Sequence, residues 1–186
     1  MLIFEIVLIA CILVAGMLIV LTSMKTGISP SPSSSKTVRA MMATMEDSGA
    51  GPIVDLGSGW GTLVIAFAGK YPQRQVIGYE LSLVPWLFSS IRKSVSRLNN
   101  LTLYRKDFRN ADLSHASVLT CYLFPGGMVS LKEKLERDKI TEVLIVSSTF
   151  ALPSSEPTRV IRVKDMYRTP IYLYHQSRRA VCGQSL

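Results

Sequence analysis

The chain opens with an almost unbroken apolar run from Leu2 to Thr22, interrupted by one charge, Glu5. At 1.5 Å per helical residue this run can cross a hydrocarbon core of roughly 30 Å, so the pattern predicts a transmembrane helix. No basic segment precedes it and no small-x-small cleavage site follows, which favours an uncleaved anchor over a removed signal peptide. The stretch from Thr26 to Ser35 is rich in Pro and Ser and reads as a linker. After it Val38, Met41, Met42 and Met45 recur at helical spacing, behind a Ser just ahead of Lys36 that suits an N-cap.

From position 52 the pattern shortens. Ile53-Val54, Gln75 to Tyr79, Leu101 to Tyr104, Ser117 to Phe124 and Glu142 to Val146 read as apolar strands, and Pro125-Gly-Gly127 ends the fourth. Helical stretches lie between them: Thr62 to Ala68, and Met128 to Asp138, the latter with Leu131 and Leu135 inward and a Lys/Glu exterior. Such alternation predicts an α/β fold with a doubly wound, mostly parallel sheet. Thr158 to Lys164 and Pro170 to His175 then read as two strands around Asp165 to Arg168. The organisation expected is an anchor over 1–24, a linker or pre-domain motif over 25–35, a catalytic domain over 36–178 and a tail over 179–186.

The candidate chemistry begins where the first strand meets the first helix of that alternation, at Asp55-Leu56-Gly57-Ser58-Gly59-Trp60-Gly61. Glycines on alternate positions let the backbone approach a ligand at a helix start, where free N–H groups point outward. Two phosphate motifs fail on spacing. The dinucleotide fingerprint G-x-G-x-x-G would need glycine at position 62, which is Thr, and the P-loop would need Gly-Lys-[Ser/Thr], whereas Gly69-Lys70 is followed by Tyr71. Nineteen residues past Gly61, Glu80 follows the second strand, where a carboxylate can accept ribose hydroxyls. Asp107 stands in the same relation to the third strand.

An acidic residue followed by G-x-G-x-G resembles the first motif of class I S-adenosylmethionine-dependent methyltransferases. The resemblance implies a Rossmann-like seven-stranded sheet whose last two strands form an antiparallel hairpin, and S-adenosyl-L-methionine as cofactor. It implies cofactor contacts from Asp55, Gly57, Ser58, Gly59 and Gly61, from Glu80 at the ribose, from Leu81 beside it, and from Asp107 and Phe108 at the adenine. With DLGSGWG, the GYELS run ending at Pro85-Trp86, Tyr122-Leu-Phe-Pro-Gly-Gly-Met128 and Thr149-Phe-Ala-Leu-Pro153, the chain is similar to a group of small membrane-anchored methyltransferases. The eukaryotic relatives of that group are mitochondrial protein-lysine methyltransferases acting on membrane proteins. By the same likeness the segment from Ser31 to Ser35 is expected to cover the cofactor.

Aromatic faces suit an ammonium or a sulfonium, so Tyr122, Phe124 and Trp60 are the candidates for lining the methyl-transfer side. No residue is singled out as a base. The chain lacks the Asn/Asp-Pro-Pro-aromatic motif used on base amino groups and has Cys121-Tyr-Leu-Phe-Pro125 in its place. That departure argues against nucleic acid as the acceptor, despite a formal net charge of +8 over 186 residues. A basic domain tethered to a membrane is drawn equally to anionic headgroups. Lys25, Lys36 and Arg39 follow the apolar run and no Lys or Arg precedes it, so the positive-inside rule puts the domain on the cytoplasmic face. Cys11, Cys121 and Cys182 have no disulfide or metal-ligand spacing, His115 and His175 are isolated, and no metal site is expected. The expected activity is methylation of a lysine on a membrane protein. A lipid-soluble small molecule such as a quinone precursor is the alternative acceptor, and a non-catalytic cofactor-binding scaffold the alternative role.

Overall fold

The computed structural model describes residues 1–26, 33–45 and 48–176. Helix α1 covers Leu2–Thr26, and within it Ile3–Val20 is long and apolar enough to cross a membrane by length and composition. It lies against the helix that follows the second strand, α4 (Leu83–Ser96), whose outer stripe of Leu87, Ile91 and Val95 is exposed. Between them in sequence, α2 (Ser35–Ala43) is capped by Ser34, whose hydroxyl accepts the Thr37 N–H at 3.1 Å. The cap thus falls one residue earlier than the Ser adjoining Lys36. Of the methionine stripe, Met41 and Met45 are fully buried with Val38, whereas Met42 is only half-buried.

Seven strands form one sheet: β1 (Ile53–Leu56), β2 (Val76–Tyr79), β3 (Leu101–Tyr104), β4 (Val118–Cys121), β5 (Val143–Ser148), β6 (Arg159–Arg162) and β7 (Pro170–Gln176). Their spatial order is β3-β2-β1-β4-β5-β7-β6, parallel through β5, with β7 antiparallel to both β5 and β6. This is the fold of class I methyltransferases. Four strands are buried on both faces, which explains their continuous apolar runs.

Within those strands the residues alternate between two cores. Ile53, Val76 and Val118 pack with Leu63, Val64 and Phe67 of α3 (Thr62–Lys70) and with Val38, Met41 and Met45. Val54, Ile77 and Leu119 turn the other way, onto Met128, Leu131 and Leu135 of α5 (Pro125–Arg137). Right-handed crossovers require this division: the chain steps one way along the sheet from β1 to β3 and the opposite way from β4 to β5.

Several expected boundaries shift. Strand β4 stops at Cys121, so Tyr122, Leu123 and Phe124 belong to the turn beyond it. Pro125 does not merely end a strand: it opens α5, where its missing N–H is no loss and its fixed φ already suits the helix. Strand β5 begins after Glu142, held at φ 64°, and runs through Ser147 and Ser148 before Thr149 turns left-handed at φ 72°. The exterior of α5 is also less polar than its sequence suggests. Lys134 is buried, with its Nζ donating to Asp138 Oδ2 at 2.6 Å and to the Arg109 carbonyl at 3.1 Å, which ties α5 to the 3-10 turn Phe108–Asn110. The long aliphatic stem fills apolar space while the ammonium finds partners at the rim.

Candidate active site

The carboxyl ends of β1 and β4 meet where the strand order reverses, the position at which open α/β sheets bind ligands. There the chain leaves β1 through a turn with three left-handed glycines, Gly57 (φ 75°), Gly59 (φ 51°) and Gly61 (φ 77°). The turn is fastened to the neighbouring strand: the N–H groups of Gly57 and Ser58 both donate to the Tyr79 carbonyl at 2.9 Å. Gly61 closes it, with its N–H donating to the Ser58 carbonyl, and serves as the N-cap of α3. A Cβ at Gly61 would come within 2.7 Å of the Ser89 Cβ on α4, so the residue is glycine both for conformation and for space.

Glu80 is buried, and both its oxygens are engaged. Oε2 accepts the Gly59 N–H at 2.8 Å and Oε1 accepts the Ser82 N–H at 2.7 Å. In this chain, then, the expected ribose ligand also braces the glycine turn and the start of α4. Asp55 lies deeper, 1% exposed. Its Oδ1 accepts the Thr120 hydroxyl at 2.8 Å, across the β1–β4 register that pairs these two residues. Burial pushes the Asp55 carboxyl up from 3.8 to about 7; the Thr120 hydrogen bond pulls the other way, and the nearby Glu80 charge adds to the rise. Ser58 Oγ is buried without a hydrogen-bond partner among the described residues, an unsatisfied group on the inner side of the turn.

The remaining expected residues surround this centre. Leu81 is exposed beside Glu80, and Phe108 is half-buried against the α5-side core. Asp107 caps the 3-10 turn, and its carboxylate is gripped by Arg109, with Nη2 to Oδ2 at 2.6 Å and Nε to Oδ2 at 2.9 Å, besides the Arg109 backbone N–H to Oδ1 at 2.9 Å. The hydrogen bonds from Arg109 hold Asp107 below the ordinary carboxylate range. An adenine amino group would share this carboxylate with the guanidinium.

The three aromatic candidates do not form one wall. Tyr122 is half-buried and stacks on Phe150, with centroids 6.4 Å apart and planes 17° from parallel, whereas Trp60 meets Phe88 of α4 edge-on at 5.3 Å. Phe124 caps α5 and lies over Gly126 and Gly127, where a Cβ on Gly126 would approach its ring to 2.7 Å. Of the 31–35 motif, Ser31 and Pro32 lie outside the described residues, as do Cys182 and the tail from 179; Ser34 and Ser35 belong to the cap and first turn of α2.

Four partners were not singled out in the sequence. Thr120 had one signal, a lone hydroxyl in an otherwise apolar strand. Arg109 had another, standing two residues from Asp107. Phe150 stood in the Thr149-Phe-Ala-Leu-Pro153 run without an assigned role and Phe88 had no signal, since both roles depend on which elements the sheet brings together.

The arrangement fits S-adenosylmethionine in three respects. Backbone is bared by glycine at the topological switch point, a buried carboxylate and an unpaired hydroxyl lie at the turn, and the arginine that reaches it, Arg92 of α4, is engaged with the Trp60 carbonyl at 2.8 Å. Comparison with known proteins agrees. Residues 55–159 match the ANTKMT methyltransferase domain. A protein-lysine N-methyltransferase of Saccharolobus islandicus (strain REY15A) is 29% identical over 151 residues, covering 77% of this chain and 90% of the relative. The adenine nucleotide translocase lysine N-methyltransferase of Mus musculus is 32% identical over 114 residues, covering 60% of this chain and 48% of the relative; the chain matches about half the length of that protein. In fold, the chain resembles an RNA methyltransferase from Salinibacter ruber in complex with S-adenosyl-L-homocysteine, with a TM-score of 0.70 at 21% identity, covering 84% of this chain and all of that one.

Proposed function

The chain belongs to the ANTKMT methyltransferase domain family and is an S-adenosylmethionine-dependent methyltransferase, and from that membership we propose that it methylates lysine side chains of proteins in or beside a membrane. The observation that carries the lysine assignment is the archaeal protein-lysine N-methyltransferase, which aligns over most of both chains. The membrane assignment rests on Ile3–Val20, the apolar span leading into the domain. Lys25, Lys36 and Arg39 on its carboxyl side favour a cytoplasmic domain.

When bound, the cofactor supplies a methyl carbon made electrophilic by its sulfonium. The protein's part is placement and exclusion of water. In this reading the glycine turn carries the cofactor on its backbone, and Glu80 holds that turn in shape while offering its remaining lone pairs to the ribose. Asp55 supplies negative charge beneath the cationic end of the cofactor. Asp107 with Phe108, and Leu81 on the other side, bound the adenine. Tyr122 and Phe124, in the turn just beyond β4, flank the path of an incoming lysine, and their ring faces suit its ammonium before deprotonation.

The test is transfer of label from methyl-labelled cofactor to isolated membranes, followed by amino-acid analysis of the labelled fraction. Methylated lysine in protein is the expected product. Label confined to the lipid extract would overturn the assignment and favour a lipid-soluble acceptor.

A further inference from the structure

A groove of about 440 Å³ lies away from the glycine turn, between the start of α2 and strand β6, lined by Lys36, Arg39, Ala40, Arg162, Val163 and Lys164 together with Ile161. Four strand spacings separate β1 from β6 in the sheet, roughly 19 Å at about 4.8 Å each. Topology nevertheless puts the groove on the same edge as the site. Arg162 ends a strand that runs parallel to β5, so it emerges at the carboxyl edge, and the Lys36 Nζ donates to the Lys164 carbonyl at 3.1 Å.

All four cationic side chains are exposed, and among the described residues none is paired with a carboxylate. The floor is apolar, with Val163 buried and Ala40 and Ile161 half-buried. Next to the groove, the turn joining β6 to β7 projects two large apolar residues into solvent, Met166 at 88% and Tyr167 at 82% exposed. That turn is rigidly built. Asp165 accepts the Thr169 N–H at 2.9 Å and the Thr169 hydroxyl at 2.6 Å, so the carboxylate nearest the tip is committed to the turn.

An apolar, aromatic tip with a basic collar is the profile of an interfacial anchor: the tip enters the boundary between headgroups and acyl chains while lysine and arginine meet anionic phosphate. Covalent reach supplies the second argument. The eight residues between Thr26 and Ser35 span at most roughly 28 Å, so α2 starts close to the end of α1 wherever α1 is embedded. We infer that Lys36, Arg39, Arg162 and Lys164, with Met166 and Tyr167, form a docking surface for an anionic phospholipid bilayer, which turns the carboxyl edge of the sheet toward the membrane. This deepens the membrane-proximal reading above and depends on it for the identity of the surface.

The test uses the full chain in lipid nanodiscs, with Tyr167→Trp as reporter and brominated acyl chains as quencher, with and without phosphatidylglycerol. Quenching of the added tryptophan above the parent signal is expected in discs with phosphatidylglycerol and is expected to be largely absent in pure phosphatidylcholine, since each cation contributes about fivefold to the docking equilibrium. Charge reversal of all four residues to Glu is expected to reduce it to the phosphatidylcholine level while cofactor binding by calorimetry stays within twofold. Should the fourfold variant lose cofactor binding through misfolding, the pair Arg162→Gln and Lys164→Gln is expected to cut the quenching by an order of magnitude. Equal quenching in both lipids, or quenching that survives these substitutions in a folded chain, overturns the proposal. So does charge-dependent binding of an RNA oligonucleotide in place of lipid contact. The readout needs no methyl transfer: lipid contact without methyllysine counts against the activity alone, and methyllysine without lipid contact against the docking alone.

Discussion

Asp55 carries a pH dependence whose sign follows from its burial. In the unfolded chain its carboxyl ionises near 3.8, and in the folded chain only near 7. Between those values the folded chain retains a proton that the unfolded chain has released, so stability falls as pH rises through this window, by about 1.4 kcal/mol per unit. Asp55→Asn is expected to remove that slope and to gain on the parent between pH 5 and pH 8 in urea unfolding without ligand; parallel slopes would refute the assignment. The opposite trend is expected for the cationic cofactor, whose affinity for the parent chain should rise from pH 6 to pH 8 in calorimetric titrations and should be lost in Asp55→Asn. At Gly61, alanine meets both a left-handed φ of 77° and the Ser89 Cβ at 2.7 Å. Gly61→Ala is expected to lower the unfolding free energy by about 2 kcal/mol or more and to weaken cofactor binding with it. These residues were legible beforehand because glycine spacing and isolated acids are sequence-local signals. Thr120 became meaningful only through its register opposite Asp55, and the claim of Arg109 on Asp107 only through the tight turn that brings them together.

At the scale of elements, the alternation of strands and helices was readable because apolar runs of four to six residues, broken by Gly, Pro and charge, leave few other arrangements. The differences lie at ends, where a single backbone torsion decides, and at α4 (Leu83–Ser96), a helix for which the pattern gave no reading. Pro125, read as the end of a strand, begins a helix, and left-handed Glu142 delays β5. Helix α2 shows how a short, barely apolar segment is held by burial rather than propensity. Met41 is completely buried against α3 and the sheet, so Met41→Ala is expected to cost about 2–5 kcal/mol by denaturant titration. Lys134 is the converse case. A lysine on a helix otherwise rich in Lys and Glu gave no sign of burial, yet its removal would leave the Arg109 carbonyl without that donor and Asp138 without its closest cation. Lys134→Ala is expected to cost about 2 kcal/mol, whereas Lys132→Ala, two residues away on the opposite, partly exposed side, should cost less than about 1 kcal/mol.

For the whole molecule, a long apolar helix precedes a basic domain whose candidate site and basic groove lie at the same edge of the sheet. Removing residues 1–24 is expected to leave cofactor affinity within about threefold while lowering methylation of membrane-embedded acceptors by at least tenfold relative to a detergent-solubilised one, as the loss of tethered local concentration requires. Loss of cofactor affinity in the truncated chain would instead make α1, through its contact with α4, part of the folded domain. The short span between α1 and α2 has a further consequence, one of height. Where α1 crosses the membrane as proposed, a span of at most roughly 28 Å lets the domain travel with its anchor through the bilayer plane while keeping the start of α2 within about 3 nm of it. Acceptors would then be chosen first by altitude: a lysine near the headgroups of any protein sharing the membrane comes within range, and the same sequence carried on a tall stalk passes overhead untouched.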